Sequence, residues 1–227
     1  MGTIKSMDNK SVHWPSLLSQ IPDPPKKLYY VGEPYFSLSP SSRLEEGRGG
    51  VLRGLIAVVG SRQMSKRGEE AVRRIVPDLV KRGIGIVSGL AMGVDTLAHK
   101  ICLDCGGYTV AVMGMGLDRI YPWENKDLAE KIVTSGGCLL SEYEVGRKTI
   151  RSDFLKRNRI VSGLCAGTLV IEAAGRSGSI STPNFAVDQG REVWVVEAKQ
   201  GEPNSEGVLA LIEDGATVIS SAVDIVL

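Results

Sequence analysis

The chain has 227 residues, 43% of them hydrophobic, with 27 Lys and Arg against 26 Asp and Glu. That length and apolar content supply one good core and argue against two separate small domains. A net charge of +1 excludes a polycation that grips nucleic acid with its whole surface, so any such site is a local patch.

No apolar run approaches the roughly 18 residues of a membrane span, and the first residues lack a signal-type apolar stretch. The protein therefore reads as cytoplasmic, with no membrane contact. Residues 1–12 are polar and patternless and are expected to be mobile. Trp14 to Gly32 reads as a short helix, a Pro-rich turn and a strand ending at Gly32. Ser37 to Gly50, rich in Ser, Gly and charge without periodicity, predicts a loop.

The rest of the chain is organised around Leu55-Ile-Ala-Val-Val-Gly-Ser-Arg62. The apolar run shows no polar alternation, which suits a strand buried on both faces of a parallel sheet. It stops at Gly60, and a helical pattern follows from Gly68 to Arg82. Further strands are expected at Ile84–Val87, Tyr108–Met113, Cys138–Glu142, Thr168–Glu172, Glu192–Val196 and Thr217–Ile219. Helices are expected to end near Asp104 and to span 124–135, 153–164, 181–189 and 206–213. Strands separated by helices of about ten residues mean βαβ units with right-handed crossovers. The predicted fold is α/β: an extended Rossmann-like, doubly wound, mainly parallel sheet with helices on both faces. In such folds ligands collect at the carboxyl edge. Gly60, Ser88, Gly89, Gly114, Gly116, Ser177, Gly178 and Ser179 all fall in turns at that edge. N-capping alone would also justify the serines near 179.

The most basic stretch is Arg147 to Arg159, with six Lys or Arg against one Asp, a local charge of +5. Phe154 sits in its middle. Cations that follow phosphates around an aromatic face that stacks on a base are how single strands are held. The same residues also fit a solvated helix start with Phe154 as a core anchor. Arg157 and Arg159 could instead pair with Glu142 or Glu172. Asp95 and His99, spaced i, i+4, fit a structural hydrogen bond better than an acid/base pair. Of the four cysteines, Cys102 and Cys105 form a C-x-x-C at a helix end, while Cys138 and Cys165 are isolated. Reduced, mostly buried thiols fit better than a metal or redox centre, and no cofactor or metal is expected.

Gly60-Ser-Arg62, Ser88-Gly-Leu-Ala-x-Gly-x-Asp95, Gly114-x-Gly-Leu-Asp118-x-x-Tyr121-Pro and Phe154-x-x-Arg157-Asn-Arg159 resemble, in order, the motifs of the DprA/Smf family of DNA-processing proteins. So do Ser141-Glu142, Glu172-Ala-x-x-x-Ser177-Gly-Ser179 and Leu211-Ile-x-x-Gly215-Ala. The resemblance implies a protein that binds single-stranded DNA and helps load the RecA recombinase in transformation and recombination. It implies a homodimer, and the apolar run at Val208–Ile212 points to exposed surface between Val208 and Ile219 as its interface. It favours Arg62, Phe154 and Lys156 as DNA contacts and does less for Arg157; with the basic stretch and the Gly60 turn, the expected contacts are Ser61, Arg62, Lys148, Arg151, Phe154, Lys156 and Arg157. Residues 1–50 are expected as a lead-in packed on a core of 51–227, without the N-terminal helical or C-terminal winged-helix-like domain of many members. Leu155 stands where the family carries Pro, and Val196-Glu-Ala-Lys199 where it carries Val-Pro-Gly. An enzyme of phosphoribohydrolase type, or a nucleotide-sensing module, is the alternative. Such enzymes carry Pro-Gly-Gly-x-Gly-Thr-x-x-Glu where this chain reads Glu172-Ala-Ala-Gly-Arg-Ser-Gly-Ser.

Overall fold

The computed structural model of the chain describes residues 2–11, 14–35, 52–175 and 178–226. Nine strands form one sheet: β1 (Lys5–Asp8), β2 (Lys27–Gly32), β3 (Gly54–Val59), β4 (Ile84–Ser88), β5 (Thr109–Met113), β6 (Cys138–Ser141), β7 (Gly167–Val170), β8 (Glu192–Val196) and β9 (Thr217–Ile219). Their order in space is β1-β2-β6-β5-β4-β3-β7-β8-β9. The strands from β3 onward pair in parallel, while β2 runs antiparallel to both β6 and β1. The parallel part of the sheet starts at the centre with β3, winds outward to β6, then returns to the other side of β3 with β7. The crevice where the winding direction reverses therefore opens above the carboxyl end of β3.

Six α-helices cover the sheet: α1 (Lys66–Lys81), α2 (Val94–Asp104), α3 (Lys126–Thr134), α4 (Arg151–Gly163), α5 (Ser181–Asp188) and α6 (Glu206–Glu213). Strand periodicity separates the two faces. Ile56 and Val58 of β3 join Ile75 and Leu79 of α1 and Ala98 of α2 in one core. Ala57 and Val59 point the other way, into a core with Ile160 of α4, Ala186 of α5 and Val208 of α6. A third cluster places Leu128 and Ile132 of α3 over Met113 and Leu139. Each fully buried side chain of this size contributes roughly 1.5–3 kcal/mol by leaving water. The sheet is thus covered on both faces, as its unalternating strands require.

The segment before β3 is knitted to the same sheet. Leu18 and Ile21, in and after a 3-10 turn (Leu17–Gln20), approach Gly163 of α4 so closely that a Cβ there would lie 2.9 Å from each. Asp23 is ion-paired to Arg159 at 2.9 Å. The expectation of a mobile, patternless start is corrected in part, because Lys5–Asp8 forms β1 against β2. Only Met7 of that strand is buried, so a period of two had almost nothing to show in the sequence. The expected loop at 37–50 lies outside the described residues.

Candidate functional site

At the β3–α1 turn the backbone is squeezed between two neighbours. A Cβ on Gly60 would fall 2.7 Å from Val94 Cγ2 and 3.0 Å from Glu172 O, so a side chain has no room. Ser61 is buried and its polar atoms are engaged: its N–H donates to Glu172 O (3.0 Å) and its carbonyl accepts from Val94 N–H (3.2 Å). Its hydroxyl donates to Gln63 O and accepts from Gln63 N–H, both at 3.1 Å. The turn projects Arg62 into solvent, and that guanidinium has no hydrogen bond or ion pair among the described residues.

Beneath the crevice lies a closed polar layer, and it corrects several expectations. Arg157 is buried, donating to the carbonyls of Gly89 (2.8 Å) and Val112 and to Asn158 Oδ1 (2.9 Å). Its guanidinium is a strut between the β4 and β5 ends, not a free cation for a phosphate. Gly89 is its counterpart: a Cβ there would lie 2.5 Å from Arg157 Nη2. Gly89 N–H donates to Asp95 Oδ2 at 3.0 Å. The turn after β4 is therefore filled by Arg157, and Ser88, fully buried, donates its hydroxyl to Val58 O at 2.7 Å. Neither residue lines an open pocket. Gly116 is likewise packed, with a Cβ position 2.6 Å from Glu144 O and from Asp118 Oδ1.

Three electrostatic effects follow from this burial. The guanidinium of Arg157 is pulled down to about 10 by desolvation, opposed by Asp95 and assisted by Arg62. The carboxyl of Asp95 is raised chiefly by burial. His99 is driven down to about 3 by burial, with Arg157 adding to the effect. Its Nδ1 lies 2.7 Å from Thr109 Oγ1, which itself donates to Ile86 O, so Nδ1 carries the proton. The expected pair with Asp95 does not form, and His99 Nε2 is buried without a partner among the described residues.

Above that layer lie the groups that remain available. Phe154, in the first turn of α4, is half-buried against the β5 turn: a Cβ on Gly114 would touch Phe154 Cδ1 at 2.8 Å. Its ring lies 5.4 Å from that of Tyr121, tilted by 57°. Of the six cations at 147–159, three are committed. Arg147 grips both Asp153 oxygens (2.7 and 3.1 Å), Arg157 is the strut, and Arg159 is buried between Asp23 and Glu142 at 2.9 and 2.6 Å. The Arg147 pair holds the Asp153 carboxyl below its usual range and lets it cap α4 through Ile150 N–H (2.9 Å). Lys148, Arg151 and Lys156 are exposed, with no hydrogen bond or ion pair among the described residues. Gly178 is exposed as well, 3.6 Å from Leu155 Cδ2 as measured from an ideal Cβ. Ser177 lies outside the described residues, and the backbone at Ser179 is part of a single 3-10 turn (Gly178–Ile180).

Glu172, fully buried, sits at the N-terminus of α1, the kind of helix end that attracts anions. Its carboxylate accepts from Ser65 N–H (2.9 Å), Ser65 Oγ (2.6 Å) and Asn204 Nδ2 (3.1 Å) at the start of α1. Gly68 makes room for it, since a Cβ there would lie 2.6 Å from that carboxylate. Further along the edge a cavity of about 230 Å³ is lined by Arg67, Arg74, Glu70, Glu197 and Glu202, acids and bases in near balance. Among the described residues no group of three His, Cys, Asp or Glu is placed to hold a metal. Sequence reasoning singled out neither Glu172 as the helix cap nor Tyr121 as the neighbour of Phe154. The Tyr-Pro step within the third quoted motif was the available signal for the second.

The comparisons with known proteins agree with this geometry. The model of the DNA recombination-mediator protein A family matches residues 5–227. Protein Smf of Synechocystis is 42% identical over 209 residues, 92% of this chain. The chain spans about half the length of that relative, 50% of it. The X-ray structure of DNA processing protein A from Streptococcus pneumoniae superposes with a TM-score of 0.85 at 37% identity, over 98% of this chain and 73% of that one. DNA processing protein A from Helicobacter pylori, solved in work on its single-stranded DNA binding mode, gives a TM-score of 0.82 at 29% identity, over 98% and 93%.

Proposed function

This chain belongs to the DNA recombination-mediator protein A family, and from that premise we propose that its sheet-edge crevice binds single-stranded DNA with little dependence on sequence. The observation that carries the reading is the half-buried Phe154 ring together with four exposed cations, Arg62, Lys148, Arg151 and Lys156, that make no hydrogen bond or ion pair among the described residues. A base stacks on the ring, and the cations neutralise phosphates on either side. The related Helicobacter protein, described with a single-stranded DNA binding mode, supports the same ligand.

Binding rather than catalysis is supported by Glu172. Its carboxylate, held by Ser65 and Asn204, fills the helix N-terminus with negative charge and repels a nucleotide phosphate there. The same reading treats 51–227 as the binding core with 1–50 packed on it. It makes the protein cytoplasmic, where a homodimer passes the strand to RecA recombinase. Among the described residues no helix is long and apolar enough to cross a membrane.

The test is fluorescence anisotropy with labelled oligo-dT and with blunt duplex of equal length, each at two salt concentrations. The strand should bind more tightly, and its affinity should fall steeply with salt as counterions are released. Equal affinity for both would overturn the reading. Incubation with AMP or CMP is expected to release no free base.

A further inference from the structure

Trp123 is left over from the site just described. Its indole is 69% exposed, whereas the other two tryptophans, Trp14 and Trp194, are 9% and 3% exposed. An exposed indole forgoes the burial of one of the largest apolar surfaces a residue has. The ring is nonetheless held in place. It begins a 3-10 turn (Trp123–Asn125) whose last residue is buried, Asn125 Nδ2 donating to Leu90 O (2.8 Å) and Thr96 Oγ1 (2.7 Å). Lys126 Nζ lies 4.9 Å from the indole centroid, covering one face with a cation.

The ring is also close in sequence to the aromatic pair of the site. Phe154 contacts Tyr121, which is 55% exposed, and Trp123 follows two residues later. Two residues of chain reach at most about 7 Å. Phe154 and Tyr121 thus form an aromatic pair, and Trp123 presents a third, exposed ring two residues further along the chain.

We infer that Trp123 is a second stacking platform for the same strand, receiving a base further along than the one on Phe154; this rests on the single-strand reading above. Glu124 and Asp127 flank Lys126, so the turn is no cationic track, and the contact is stacking rather than phosphate neutralisation. Anchoring through Asn125 means the turn that carries the ring needs little ordering on binding.

The experiment is titration of the full chain with oligo-dT, following tryptophan emission and gel mobility together, for the wild type and for Trp123→Leu and Trp123→Phe. Because Trp14 and Trp194 are buried, quenching by the oligonucleotide reports Trp123. Emission should fall with the same midpoint as the mobility shift. Trp123→Leu should bind about 5- to 150-fold more weakly, the range expected for one lost base stack, with an unchanged salt slope. Trp123→Phe should keep most of the affinity, and all three proteins should melt together. A normal mobility shift without quenching, with Trp123→Leu binding like wild type, overturns the inference and leaves the single-strand reading standing. Failure of every protein to bind oligo-dT overturns that reading and the inference with it. Loss of self-association in light scattering for Trp123→Leu, with oligo-dT affinity unchanged, would make the ring a protein contact and also overturn it.

Discussion

At the scale of single residues, two arginines of the same crevice have opposite employment. Arg62 is exposed and unpartnered among the described residues, whereas Arg157 is buried on the carbonyls of Gly89 and Val112. Arg62→Ala should therefore weaken oligo-dT binding and reduce the salt slope by roughly one phosphate contact. Its melting curve should match the wild type. Arg157→Ala should instead lower stability by roughly 1–3 kcal/mol for each carbonyl left without a donor. Urea unfolding and DNA titration on both variants separate the roles; a stable, binding-defective Arg157→Ala would return that residue to the DNA contacts.

His99 supplies a pH signature at the same scale. Burial lowers its folded pKa from 6.5 to about 3, so the folded state keeps it neutral while the unfolded chain takes up a proton. The unfolded state thus binds more protons below pH 6.5, and stability is present above that value and lost as pH falls toward about 3. The limiting slope is about 1.4 kcal/mol per pH unit. Asp95, raised by burial, works in the opposite sense: its contribution weakens as pH rises above its unfolded pKa. Comparing wild type with His99→Gln isolates the histidine. The variant's stability should depend less on pH between 6 and 4, and an unchanged dependence would remove His99 as the cause.

At the scale of elements, the position of α1 depends on a side chain from the far side of β3. Glu172 follows β7, yet it accepts the N–H and hydroxyl of Ser65, the N-cap of α1. Ser65 in turn caps the helix by accepting from Gly68 N–H at 3.1 Å. Glu172→Ala leaves two part-buried Ser65 donors and the Asn204 amide unmatched, and should cost ~1–3 kcal/mol in urea unfolding. Oligo-dT affinity per folded molecule should remain within a few-fold, since Phe154 and the α4 cations are carried elsewhere. If instead DNA binding collapses in a protein of full stability, Glu172 belongs to the ligand site.

Elements also show what a sequence discloses. The ranges of β8, α6 and β9 match the sequence expectation residue for residue, and β3 begins one residue earlier than its apolar run. These segments carry their own burial pattern between glycine turns. β1 was invisible because one buried Met7 makes no pattern, and its strand state comes from pairing with β2. The basic segment was legible as charge but not as geometry. Lys148 and Arg157 read alike in a sequence, and only the gap left by Gly89 decides that one guanidinium is interior. Cys102, Cys138 and Cys165 are buried and Cys105 exposed, as the lack of any thiol cluster suggested. Burial raises Cys102 to about 12, which leaves it a poor nucleophile.

For the whole molecule, the two edges of the sheet are unlike, and that bears on assembly. One edge is β1, whose Lys5, Ser6 and Asp8 face solvent, a charged margin of the kind that discourages strand pairing. The other is β9, where Val218 is exposed, followed by exposed Val223 and Val226. The apolar run at Val208–Ile212 is not that surface: Val208 and Leu211 are core residues and Ile212 packs beside them. Within the surface expected between Val208 and Ile219, the homodimer we propose therefore uses β9, with the exposed valines that follow it, and not the α6 run. Light scattering should give a mass near twice the 24.3 kDa chain at micromolar concentration. Val218→Lys combined with Val223→Lys should shift it to a folded monomer whose melting temperature no longer depends on protein concentration, because both side chains are exposed in the single chain. On a short oligo-dT the double variant should bind like wild type. On a strand long enough for two subunits it should bind more weakly, since linked sites raise effective concentration without any new contact. A wild-type mass that stays monomeric at every concentration would leave the β9 edge without a partner of its own kind.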